Sequence, residues 1–329
     1  MIRSLIFATL IALPIPTFAG VKDAVQDHAL PRAHSFAVQA RALAVNAGVD
    51  CTAEAVIPSY HNVFDAWMGL SHLAFGPIET DGRGLAISFW PDKRGMVGSS
   101  VARLIAEQDQ AVDDGGEFAQ VSIAGRGLFA LERLLFDPAY AGYDRADYSC
   151  RLVQAIARDL DRMAREIDTG WQAEAEALLN TGTPGNTRYL SDKEAAQRLY
   201  TALLAGLEFD ADQRLGRPLG SFDRPRPERA EARRSERSLR NVIVSLKATR
   251  DLALKLATQP IPVSEAAFDS ALAEAEALDS PVFGGVSDPS GRLKVEILQQ
   301  RIRAARTAVA GEIGAQLGVS SGFNSADGD

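Results

Sequence analysis

Apolar residues recur along this chain at steps of three and four, and almost nowhere at alternate positions. That periodicity predicts amphipathic helices and next to no strand. The longest run is 146–178, where Tyr148, Leu152, Ile156, Leu160, Met163 and Ile167 share one stripe. Further helices are expected at about 21–47 with a break at Pro31, at 52–73 with Pro58 in the first turn, and at 97–109 and 117–136. In the second half they are expected at 191–212, 229–257, 264–278 and 289–316. Asp50-Cys51-Thr52 reads as a capped turn, and Ser191-x-x-Glu194 as a capping box. Gly and Pro interrupt the pattern at 76–95, which cannot be one helix. Leu85–Trp90 is a short extended candidate there, and Phe89 and Trp90 need burial, so an ordered loop laid over the helices is expected. Residues 180–190 are turn-like, and the chain becomes small and polar from Gly318. The fold class is therefore all-α, as two helical halves resembling four-helix bundles. They span 20–180 and 181–318, with a tail at 319–329.

One position resists this pattern. Wound as a single helix, 117–136 puts Phe118, Val121, Ala124, Gly125, Leu128, Phe129, Leu131, Leu135 and Phe136 on one arc, with Arg126, Arg133 and Asp137 opposite. Glu132 falls near the centre of the apolar arc. A carboxylate there must be neutral or have a cation or hydrogen-bond donors for company, because burying it bare is costly. Gly125 and Gly127, each costing roughly 1 kcal/mol of helix propensity, suggest a kink or a close backbone approach just before it.

Composition sets outer bounds. The 329 residues are 46% hydrophobic and 24% charged with a formal charge of −8, an ordinary globular balance that argues against a nucleic-acid partner. Residues 1–19 read as a secretory signal: Arg3, an apolar core from Leu5 to Leu13, and Thr17-Phe-Ala19 before Gly20. That core is too short to span a bilayer, and no cysteine follows the cleavage site to carry a lipid. The expected mature protein is exported, periplasmic and not membrane-spanning. Cys51 and Cys150 are the only cysteines. Export favours a disulfide between them over two separate buried thiols.

Motifs exclude more than they include. All four histidines precede residue 73 and none has zinc-protease spacing. His28 and His34 are expected to be exposed. His61 and His72 share an azimuth with Asp65 nearby, but lie about 16 Å apart along a helix, too far for one ion. His72, beside the Phe75-Gly-Pro77 break, is the best histidine candidate for a site. Gly318-Val-Ser-Ser-Gly322 follows a helix and has no downstream histidine, so it is no nucleophile elbow. Residues 214–240 hold nine Arg against four acids. Most belong to a solvated face. One or two, Arg237 first and Arg83 from the ordered loop second, are candidates to meet Glu132, because a guanidinium fork can bond both carboxylate oxygens.

A resemblance then appears. Gly127-Leu-Phe-Ala-Leu-Glu132 lies on the frame of the Gly-x-His-x-x-Glu signature of the imelysin-like family, bacterial periplasmic or surface proteins associated with iron uptake and once classed as metallopeptidases. Phe64-Asp-Ala-Trp67 with Phe75-Gly-Pro77, Phe89-Trp-Pro-Asp-Lys-Arg-Gly95, and Arg214-Leu-Gly-Arg-Pro-Leu-Gly220 with Arg234–Arg240 also resemble it. The resemblance implies two bundle-like halves and a site about Gly127, Phe129 and Glu132. Trp90, Asp92 and Lys93 join the ligand-binding candidates through it, with iron or another divalent metal as the implied cofactor. Phe129, however, stands where the signature has histidine, and a phenyl ring has no lone pair. Glu132 alone cannot hold a transition metal tightly. The preferred expectation is a non-enzymatic binding or accessory protein in iron uptake, with a small ligand or iron-uptake components as partners. The alternative is a metal-dependent peptidase with dispersed ligands such as His72, Glu132 and Asp92. A third is a structural helical protein.

Overall fold

The computed structural model describes residues 20–318; the expected leader at 1–19 and the polar tail at 319–329 lie outside the described residues. Among the described residues the chain is helical, with one isolated bridge between Ser221 and Arg224 and no strand.

Val21–Asp23, a π-helical stretch Ala24–Ala29 and Leu30–Val49 run on as one helix, α1. The expected break at Pro31 does not occur. The Leu30 N–H reaches back to the Val25 carbonyl, and this wider turn sits where Pro31 would otherwise crowd the preceding carbonyls. The extra residue also rotates the preceding face, and His28, expected outside, is fully buried. In α2 (Ala53–Leu70) Pro58 lies in the second turn rather than the first. Asp50 organises the turn before it, its Oδ1 accepting from the Thr52 N–H and hydroxyl.

The 76–95 segment is ordered, with Phe89 and Trp90 only half-buried against the core, and Leu85–Trp90 is not extended. Two 3-10 turns lead into α3 (Arg83–Ile87), and Asp92 then accepts from the N–H groups of Met96 at 2.8 Å and Val97 at 2.9 Å to start α4 (Met96–Glu107). The segment is seated on α6 (Tyr148–Leu179), where Phe75 meets Trp171 edge-to-face at 5.2 Å. Gly170 leaves room for this, since a Cβ there would lie 2.7 Å from the Pro77 ring. The stripe expected on α6 is buried throughout.

The stretch 117–136 is not one helix. Gly115–Phe118 and Ile123–Gly125 are short turns, and α5 begins only at Gly127 and ends at Phe136. Gly127 has φ +71°, and a Cβ there would lie 2.5 Å from the Ile87 carbonyl oxygen and closer still to that of Ala86. This close approach of α3 breaks the helix. The break also turns Arg126 inward, against the helical-wheel expectation, so that its Nε donates to Asp159 at 2.8 Å and its Nη1 to the Ala119 carbonyl at 2.6 Å.

The second half contains α7 (Asp192–Glu208), which continues through a π-helical stretch Phe209–Leu215 into Gly216–Leu219, then α8 (Ser238–Leu256), α9 (Pro262–Ala277) and α10 (Pro289–Leu317). Ser191 caps α7 by accepting from the Glu194 N–H, while the Glu194 carboxylate accepts from Leu190 instead of Ser191. The helix expected to begin at 229 starts at Ser238. Residues 230–237 form an irregular turn with Ala232 and Glu236 in the left-handed region. α1, α2, α5 and α6 pack on one another, as do α7 to α10, and α8 lies against α2 where the two sets join. One apolar cluster runs through both.

Cys51 and Cys150 are bonded, tying the start of α2 to the start of α6 at a Cα–Cα distance of 5.3 Å. Replacing both by serine is expected to lower unfolding stability by up to ~4.7 kcal/mol, the chain-entropy value for a loop of this size. An unchanged denaturant midpoint in the double variant would count against that role.

Candidate functional site

Glu132 is 2% exposed on α5. Its Oε1 accepts two hydrogen bonds from one residue of the second half, the Ser235 N–H at 3.0 Å and the Ser235 hydroxyl at 2.8 Å. Burial raises its pKa above the usual carboxylate range, and the two Ser235 bonds and the charges of Arg234 and Arg233 offset only part of that. The required company is therefore a pair of donors rather than a cation. Ser235 went unrecognised in the sequence because its N–H becomes available only when 230–237 leaves the helix.

That turn is held by a buried polar network. Arg214 Nε donates to Glu231 at 2.8 Å and its Nη1 to Asp210 at 2.5 Å, while Asn241 donates to Glu231 at 3.0 Å. One guanidinium is shared by two buried acids, and burial pushes Asp210 up to about 6. The Ser238 hydroxyl closes the turn on the Glu231 carbonyl at 2.5 Å.

Glu132 lines a cleft of about 210 Å³ whose walls include Trp90, Asp92 and Phe129, with Arg133, Arg217, Arg229, Arg233 and Arg234 around it. Phe129 is 6% exposed and packs edge-to-face on Phe64 at 5.8 Å. Trp90 lies under Arg217, the guanidinium 5.7 Å from the ring centre. Arg133 and Arg234 both pair with Asp137, at 2.5 and 3.2 Å. Gly127 shapes the site from below by starting α5 against α3. Lys93 is exposed and does not line the cleft.

The remaining sequence candidates lie elsewhere. Arg237 does not meet Glu132. It crosses to α2, stacks 4.8 Å over Phe64, donates to His61 Nδ1 at 3.0 Å, and pairs with Asp65, which Arg240 also holds. The His61–Asp65 stripe is thus the acceptor of a bond across the halves. Arg83 pins its own loop, bonding Glu166 at 2.8 Å and the Pro77 carbonyl at 3.1 Å. His72 lines a separate cavity of about 510 Å³, of which Trp90 is a shared wall.

His72 Nε2 lies 2.9 Å from His28 Nε2, and His28 Nδ1 lies 2.7 Å from Asp251. Burial lowers the pKa of both imidazoles, that of His72 further. If His28 Nδ1–H donates to Asp251, its Nε2 must accept from His72, leaving His72 Nδ1 as a bare acceptor; that nitrogen is buried with no partner among the described residues. Arg32 Nε, 3.3 Å from the same His28 nitrogen, is then excluded as its donor. His34 is exposed, as expected, beside Asp168.

Among the described residues no three His, Cys, Asp or Glu side chains gather as a metal site. His72, Glu132 and Asp92 are not brought together, and Asp92 is committed to the start of α4. Nor is any described helix long and apolar enough to cross a membrane.

The comparisons with known proteins agree with the helical scaffold. Residues 29–309 match the Imelysin family model, and the chain belongs to that family. It is similar to the imelysin-like protein of Psychrobacter arcticum, with a TM-score of 0.77 at 18% identity, covering 94% of this chain and 100% of that one. It is also similar to a putative iron-regulated protein A precursor of Parabacteroides distasonis, with a TM-score of 0.65 at 13% identity, covering 93% and 97% of the two chains. Iron-regulated protein A of Synechococcus elongatus is 23% identical over 194 residues, 57% of this chain. The match spans about half of that relative's length, 49%.

A raised folded-state pKa means that Glu132 contributes most below its unfolded value near 4.5, and that the contribution is lost as pH rises through the higher folded value. Glu132→Gln keeps the accepting oxygen and removes the ionisation. The variant is expected to gain stability relative to wild type across that window, whereas Glu107→Gln on an exposed face should track wild type. Parallel melting curves for all three proteins from pH 4 to 8 would refute the assignment. Ser235→Ala removes one of the two donors to the buried Glu132 and should cost about 1–3 kcal/mol in unfolding stability, the penalty for a buried polar group that loses a partner.

Proposed function

We propose that this is an exported, periplasmic protein of iron acquisition that binds its ligand in the cleft around Glu132 and does not hydrolyse peptides. The observation that carries this reading is the Glu132–Ser235 contact, which builds the cleft from both helical halves. A ligand seated there touches both sets of helices, the kind of junction at which small-molecule sites preferentially occur. The leader-like residues 1–19 and the two iron-regulated relatives support the location and the iron connection. Phe129 in place of the signature histidine, and the separation of His72 from Glu132, weigh against a hydrolytic metal centre.

Three measurements on purified protein test this. The mature chain, recovered from a periplasmic fraction, is expected to begin at or near Gly20 by mass spectrometry. Elemental analysis should find no stoichiometric zinc. A chelated iron salt should raise the melting temperature of wild type and not that of Glu132→Ala. Stoichiometric zinc that disappears in Glu132→Ala, together with peptide hydrolysis, would establish the opposite reading.

A further inference from the structure

We propose that the cleft around Glu132 takes a small, multiply charged anion, recognised through its carboxylate or phosphate oxygens by Arg217, Arg229 and Arg233. This rests on reading that cleft as the ligand site and adds the chemistry of what enters it.

Five guanidiniums and three acids line the cleft, and the acids are already engaged. Asp92 accepts from the backbone N–H groups that start α4, Glu132 accepts from Ser235, and Glu228 lies 3.6 Å from Arg226. Of the arginines, Arg133 and Arg234 share Asp137. Arg217, Arg229 and Arg233 have no carboxylate within ion-pair distance among the described residues. Arg229 and Arg233 are exposed at the rim and Arg217 is half-buried.

Three further observations point inward. Arg217 Nε and Arg133 Nε are buried donors without an acceptor among the described residues. Burial, and after it the charge of Arg229, lowers the pKa of Arg217. Trp90 lies beneath Arg217, its ring centre 5.7 Å from the guanidinium carbon. A second negative charge could only be repelled by an ionised Glu132, and burial favours the neutral form of that carboxyl. A bare metal cation, by contrast, would meet the net positive charge of the rim. The guanidinium fork suits two oxygens of one carboxylate or phosphate, and three such forks suit a di- or trianion.

The test titrates the full mature chain at low ionic strength with three probes: citrate, inorganic phosphate and preformed ferric citrate. At least one is expected to bind, with affinity falling as sodium chloride is raised. The Arg217→Gln/Arg229→Gln double variant should bind on the order of tenfold more weakly or worse, from the loss of charge-assisted bonds. Arg301→Gln, exposed on α10, should match wild type. Arg233→Gln, also exposed, supplies a second variant that leaves the fold undisturbed, with circular dichroism as the check. Tighter binding of ferric citrate than of citrate would identify the anion as an iron chelate. Equal binding, or a preference for phosphate, would support the anion site while removing the iron reading. Binding of ferrous or ferric ion alone, with none of the three anions bound, would overturn the anion site and leave the iron reading intact. Anion binding unchanged in both arginine variants would also overturn it.

Discussion

The structure depends on giving one buried carboxylate its donors. Glu132 sits on the apolar face of α5, almost wholly shielded from water, and the second half supplies a backbone N–H and a hydroxyl from a single residue. A helical Ser235 would spend its N–H on its own helix. The chain therefore leaves helical geometry between 230 and 237, through two residues in the left-handed region, and the Asp210–Arg214–Glu231–Asn241 network keeps it there.

The same seam is joined by charge as well as by packing. Arg237 reaches α2 and Arg234 reaches Asp137, while Arg214 holds the turn from behind. Ion pairs that are wholly or partly buried add little net stability, since desolvation offsets most of the attraction, but a charge left without its partner by misregistered packing is costly. Two helical halves with smooth apolar faces could slide; halves pinned at Ser235, His61, Asp65 and Asp137 have one arrangement. Once these partners are assigned, the leftover arginines are the ones at the cleft.

A second buried polar system lies on the other side of Trp90. His28, His72 and Asp251 connect α1, the end of α2 and α8 through two hydrogen bonds. The π-helical stretch before Pro31 is what brings His28 inside, so a backbone adjustment made to accommodate proline also placed an imidazole in the core.

The sequence by itself determined the helical class, the stripe on α6, the ordered loop at 76–95, the family resemblance and the anomalous burial of Glu132. Each of these is a local pattern of apolar spacing, of glycine and proline, or of a short motif. Tertiary structure decided what the pattern leaves open. Two carbonyls of α3 lie so close to Gly127 that the helix the apolar arc would have carried through from 117 is broken, and α5 starts only there. A cluster of nine arginines was visible as a cluster, but which of them crossed the seam depended on Asp65 and Asp137, each 97 or more residues away in the chain. The partner of Glu132 was a serine whose decisive group is a backbone N–H. Every residue but proline has one, so composition carries no trace of it, and only the path of the folded chain makes it free to donate.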